Sequence, residues 1–212
     1  MLAVLFGVVI VDLIGFGIVM PVLPFYAKEY GASATVLGLL LMVHAAAQFL
    51  AAPLWGRLSD KIGRRPVMLM TIAGTTASLL LLGFAGSLFW IFAARILSGA
   101  FAANISVASA YISDITEEHE RTRWMGVLGA CFGVGFVLGP IIGGGLAPYG
   151  YAVPMLVAAG IAAANLVHAA VRLKEPEGHV LGAAIDEGRL SVLSDPDVRR
   201  LCLSYFAFSV AV

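Results

Sequence analysis

Residues 55–68 read WGRLSDKIGRRPVM, a strongly charged interruption in a chain that is otherwise mostly apolar. Between Gly56 and Arg65 the stretch sets a second glycine, Gly63, beside Asp60 and four cations, Arg57, Lys61, Arg64 and Arg65. An apolar run long enough to cross a bilayer lies on each side, over 35–55 and 66–86. The charged stretch therefore reads as a turn between two antiparallel membrane helices. Gly56 and Gly63 permit a tight backbone, and Pro66 suits the first position of the next helix. Asp60 has two readings. It can accept from the unpaired N–H groups of that helix start, or it can pair with Arg64.

Composition supports the membrane reading. Of 212 residues, 60% are hydrophobic and 12% charged, against about 25% charged in ordinary soluble domains. Mean hydropathy is +0.96. The net charge is zero, so nothing points to nucleic acid or to an acidic partner. Cys131 and Cys202 are too few and too deep in apolar sequence for a disulfide framework or a metal site. The first apolar run has no cationic stretch ahead of it and is too long for a signal peptide, so it reads as retained.

A transmembrane helix needs about 20 apolar residues. Six runs qualify, over 2–26, 35–55, 66–86, 88–112, 123–146 and 151–171. A seventh starts at Leu201 and continues for about 12 residues, too few to span. The expectation is an all-α membrane protein with a six-helix bundle over 1–172, a cytoplasmic linker over 173–198 and the start of helix seven over 199–212. On that reading the chain is the front part of a longer protein of six plus six helices.

The cations set the orientation. They gather after span two (Arg57, Lys61, Arg64, Arg65), between spans four and five (Arg121, Arg123) and after span six (Arg172, Lys174, Arg189, Arg199, Arg200). The alternate loops hold only Lys28. The cation-rich loops, and with them the N-terminus, are expected in the cytoplasm.

Few polar residues interrupt the spans. Asp12 is the only acid inside any of the six runs, about 15 Å into the first helix at 1.5 Å per residue. There a carboxylate costs roughly 2.5–3.5 kcal/mol, so it should face a cavity or a partner. It reads as a protonatable group in a transport path, or as a neutral acid holding helices together. Gly15 and Gly17 permit close helix approach behind it. Pro21 and Pro24 free backbone carbonyls, which suggests a bending point, although Pro24 also suits a plain helix end. In span four, Ser98, Gly99, Ala102, Ser106, Ser109 and Ser113 fall within about 60° of Arg95 on a continuous helix, and Asn104 falls opposite. One of those faces must therefore pack on a neighbour. Arg95 reads as a pathway group, and Asn104 either as a pathway group or as interhelical glue. His44 and Gln48, four apart in span two, could touch substrate or bond to span four.

The fifth span, GACFGVGFVLGPIIGGG, repeats Gly135, Gly139 and Gly143 every four residues, a stripe for close helix contact with an interior proline at Pro140. Ordinary tight packing accounts equally for Gly129 and Gly133.

These residues resemble a known family. Gly56, Asp60, Gly63, Arg64 and Arg65 match the G-x-x-x-D-x-x-G-R-R signature loop of the major facilitator superfamily. The resemblance implies that the loop holds the outward-facing state. Arg64 would pair with an acid after helix four, here Asp114, and Asp60 would engage the second half of the protein. Gly135, Gly139, Pro140, Gly143 and Gly144 resemble the helix-five motif of that superfamily's antiporters. DLIGFGIVMPVLP and RILSGAFAA resemble first- and fourth-helix motifs of proton-driven drug exporters. Through MPVLP, Gln48, SDKIGRRPV, DIT and ACFGVG the likeness is nearest to the tetracycline-resistance pumps. It departs from them at Ser78, where they carry an acid, and at His44, where an aromatic is usual.

The function these motifs imply is a proton-coupled antiporter exporting drug-like or amphipathic compounds. Asp12, Arg95, Gln48, His44 and Asn104 would lie on the coupling and substrate path. Its partners would be a small molecule, protons, the bilayer and the C-terminal half, with the proton gradient as energy source and no cofactor. Its place would be the cell membrane. Alternatives are a nutrient facilitator or symporter, and a non-transporting membrane interaction module. No enzyme constellation is present. There is no P-loop, and GVGFVLG follows no strand, so it is no dinucleotide fingerprint.

Overall fold

The computed structural model describes residues 2–176, with Pro196 and Arg200. They include seven α-helices: α1 Leu2–Glu29, α2 Ala34–Ile62, α3 Arg64–Gly83, α4 Leu88–Ala100, α5 Asn104–Ile115, α6 Glu118–Leu146 and α7 Ala152–Arg172. A 3-10 turn, Ala147–Tyr149, precedes α7. α4 and α5 together make one span, so among the described residues six segments are long and apolar enough to cross a membrane. Residues 2–176 lie in one compact unit. The expected linker beyond Pro176 and the expected start of helix seven lie outside the described residues.

Local chemistry sets the helix ends. Gly31 turns the chain after α1 with φ +78°, and the Ser33 hydroxyl caps α2 by accepting from the Val36 N–H at 3.3 Å. At the other end, the charged stretch departs from the expected loop. Residues 56–62 are the last two turns of α2, and Gly63 alone breaks the helix. Its φ of +104° is a conformation that favours glycine. Gly56 is thus a helical residue, and Pro66 is the third residue of α3 rather than the first, still where no N–H is required. Pro21 and Pro24 likewise lie inside α1, which continues to Glu29. Pro24 does not end the helix.

Lipid gives helices little hydrophobic reason to associate, so packing depends on small residues. α1 lies most closely on α6. A Cβ at Gly17 would strike the Gly135 carbonyl oxygen, one at Gly139 would strike the Gly17 backbone, and one at Gly143 the Ile18 carbonyl. The expected stripe is therefore backbone-to-backbone contact. Gly144, Gly129 and Gly133 have open space where a Cβ would stand, so no close contact among the described residues requires them to be glycine.

The interior divides into two apolar clusters. One contains Ile18, Leu23, Leu79, Leu82, Ile91 and Met155. The other contains Leu5, Val9, Leu13, Met68, Ile72, Val107 and Tyr111. On α3 the residues between these clusters, 73–78, are small or polar, among them Thr75, Thr76 and Ser78; Arg95 and Asn104 fall between the clusters on the fourth span and Asn165 on α7, while Asp12 sits beside Leu13 at the edge of the second cluster.

Candidate functional site

Between α1, α2, α3 and the fourth span lies a pocket of about 520 Å³, open space at its mouth included. α1 contributes Asp12, Phe16 and Val19; α2 contributes His44. α3 supplies Thr75, Ser78, Leu79 and Leu82, and the fourth span supplies Ala94, Arg95, Ser98 and Ala102.

Arg95 is 2% exposed. Its Nε and Nη2 have no acceptor among the described residues. Asp12 lines the same pocket, yet no ion pair joins the two. The Asn104 side chain approaches the Asp12 carboxyl, while its Nδ2 completes no hydrogen bond among the described residues. Asn104 does not line the pocket. The Thr71 hydroxyl donates to its Oδ1, which makes Asn104 the face of span four that packs on a neighbour.

Span four is not the continuous helix expected. It stops at Ala100 and restarts at Asn104, so of the stripe counted from Arg95 only Ser98 and Ala102 join it at the pocket. Ser109 and Ser113 instead donate to the carbonyls of Ile105 and Ser109 on their own helix. Carbonyls freed in a membrane span cost several kcal/mol unless neighbours satisfy them. Two side chains of α2 do so. Trp55 Nε1 donates to the Ala100 carbonyl at 2.6 Å, and Gln48 Nε2 to the Ala102 carbonyl at 3.1 Å. Gln48 is thereby tied to the break and lies outside the pocket lining. His44 Nδ1 lies 3.4 Å from the Arg95 carbonyl. Of the two readings of this pair, bonding to span four holds for both, and His44 also lines the pocket.

At the charged end, Arg64 Nη1 donates to Asp60 Oδ1 at 2.7 Å and its Nε donates to Asp114 Oδ2 at 2.8 Å. α2, α3 and α5 are joined there by one guanidinium. Of the readings for Asp60, pairing holds. The N–H groups at the α3 start donate instead to Glu175, from Arg64 at 2.5 Å and from Arg65 at 2.9 Å. Arg65 returns the cap, donating through Nε to the Leu173 carbonyl at 2.7 Å and through Nη2 to the Ala170 carbonyl at 2.8 Å. Glu175 carried no signal in the sequence beyond being an acid just after a span. Asn165 was also missed; its Nδ2 donates to the Val8 carbonyl at 2.9 Å inside the bundle. As a polar residue inside a span, it was open to the same notice as Asn104.

Known proteins share this pattern. The chain is 41% identical over 169 residues to the class C tetracycline resistance protein of Escherichia coli, covering 78% of this chain and 43% of that protein. It is 32% identical over 173 residues to multidrug resistance protein 2 of Bacillus subtilis, covering 81% of this chain and 43% of that one. The chain thus spans less than half the length of these curated relatives. In crystal structure, the human organic anion transporter TETRAN superimposes with a TM-score of 0.76 at 26% identity, over 93% of this chain and 53% of that one. The family model of the Major Facilitator Superfamily matches residues 5–212. A match over nearly the whole length, on a chain of long apolar helices, means that this multi-pass membrane chain belongs to the Major Facilitator Superfamily.

Proposed function

We propose that this chain is the N-terminal six-helix half of a secondary transporter that exports drug-like or amphipathic compounds in exchange for protons. The observation that carries the reading is a pocket midway along the bundle where Asp12 and Arg95 meet without pairing with each other. A working acid must change charge inside a space that ligands reach. Protonation of Asp12 removes a full charge where water is scarce, and electrostatic differences there are large. That change biases which side of the bundle stands open. The relatives' names, tetracycline resistance and multidrug resistance, support export of amphipathic compounds.

Alternating access comes from rocking this half against a second one. The Asp60–Arg64–Asp114 link closes the charged end, which the cation bias assigns to the cytoplasm, and so favours the outward-facing state. The protein sits in the cell membrane with a cytoplasmic N-terminus. The proton gradient supplies the energy, and no cofactor is needed.

The test uses the full-length protein in everted vesicles. Asp12→Asn inserts and folds but loses substrate uptake driven by an imposed pH gradient. Asp12→Glu keeps part of the activity with a shifted pH optimum. Transport by Asp12→Asn with an unchanged pH profile would make Asp12 a packing residue and move coupling elsewhere.

A further inference from the structure

Asn104 is 5% exposed and Thr71 fully buried, and their chain neighbours Val67, Met68, Ile72 and Val107 belong to the second apolar cluster. Polar groups so enclosed must find their partners within the protein. The Thr71 hydroxyl has one hydrogen and three acceptors within reach. They are Asn104 Oδ1, the Met68 carbonyl at 2.9 Å and the Val67 carbonyl at 3.1 Å. The same Asn104 side chain approaches the Asp12 carboxyl, and its Nδ2 has no acceptor among the described residues. An asparagine amide turned by half a rotation fills the same space with donor and acceptor exchanged. Asn104 therefore stands between an acid that can gain a proton and a hydroxyl that can redirect one.

We propose that Asn104 and Thr71 form a two-position hydrogen-bond switch that reads the protonation of Asp12 and passes it to α3. An ionised Asp12 only accepts, so Asn104 Nδ2 donates to it and the Thr71 hydroxyl donates to Oδ1. A protonated Asp12 donates, so the amide turns: Oδ1 accepts from Asp12, and Nδ2 donates to Thr71 Oγ1. The Thr71 hydrogen then goes to the Met68 or the Val67 carbonyl. Each position leaves the amide bonded on both sides, so neither strands a buried polar group. A threonine that bonds back to a carbonyl one turn earlier tends to bend its helix. Thr71 lies seven residues from Arg64 on the same face of α3, so that bend falls beside the Asp60–Arg64–Asp114 link. The inference rests on the proposed exchange and adds two positioning residues to it. The ionisable groups that line the pocket with Asp12 are Arg95 and His44. On the other helices packed against α1, Tyr111 donates to the Lys174 carbonyl, Asp114 accepts from Arg64 and Cys131 donates to the Val127 carbonyl. The rest lie at helix ends, within 118–123 of α6 and at His168 and Arg172 of α7.

Infrared difference spectroscopy between acidic and alkaline samples of the purified full-length protein tests the switch. The Thr71 O–H stretch, assigned by its loss in Thr71→Val, should move between two positions as the pH changes. Thr71→Ser keeps a hydroxyl and assigns the band by displacing it if Thr71→Val does not fold. The movement should vanish in Asp12→Asn and in Asn104→Leu, both of which leave Thr71 in place, and either variant alone suffices. In everted vesicles, Thr71→Val should cut gradient-driven uptake roughly fivefold or more, whereas Thr71→Ser should keep it within about twofold. A Thr71 band that ignores pH in the unaltered protein overturns the switch, as does one that still moves in Asn104→Leu or Asp12→Asn. Equal uptake by Thr71→Val and Thr71→Ser overturns it too. The two readings fail separately. Loss of uptake in Asp12→Asn with a motionless Thr71 band keeps the exchange and removes the switch. Undiminished uptake in Asp12→Asn, with a band that moves in the unaltered protein and stops in that variant, keeps the switch and removes Asp12 from the coupling.

Discussion

Arg64 ties three helices through one side chain, and its two carboxylate partners are each about a fifth exposed, at 22% for Asp60 and 21% for Asp114. Exposed ion pairs contribute little because water screens them, whereas a partly buried guanidinium shared by two acids loses more when one is removed. Arg64→Gln and Asp114→Asn should therefore be non-additive in a thermal-denaturation cycle, with a coupling of roughly 0.5–3 kcal/mol. Full additivity would remove the contact. The pairing of Arg64 with Asp114 was legible in the sequence only through the family resemblance. The capping of α3 by Glu175 was not legible at all, because it joins residues 111 positions apart and depends on where α7 ends.

At the scale of elements, the α1–α6 seam rests on glycines that meet backbone to backbone. A valine at Gly139 must displace the Gly17 main chain, and overpacking of this kind costs typically 1–3 kcal/mol. Gly139→Val should lower the melting temperature of the purified protein, while Gly144→Ala, with nothing near its new methyl, should leave it within about 0.5 kcal/mol. Equal effects would show that the stripe carries no contact energy. The repeat of Gly135, Gly139 and Gly143 was readable because a four-residue period keeps one helix face. The interruption of span four was not, since SGAFAANIS holds no proline and the break is sustained by Trp55 and Gln48 on another helix.

At the scale of the whole molecule, orientation is set by the cations rather than by the packing. Single cysteines at positions near Lys28, Ser87 and Tyr149 should react with an impermeant thiol reagent added outside intact cells. Cysteines replacing Lys61 or Glu118, or placed near Asp186, should react only after permeabilisation. External labelling of Lys61→Cys would invert the topology and place the Arg64 link on the outer face.

The sequence by itself determined the number of spans, the family and the glycine seam. These depend on composition, periodicity and short motifs, and each is local to one stretch of chain. Tertiary structure decided which polar residues meet. Asp12, His44, Ser78 and Arg95 come from four spans, and Asn104, opposite Arg95 on its own span, meets Thr71 of α3 instead. A count of degrees along a continuous helix places side chains only while the helix continues, and here another helix's donors allow it to stop.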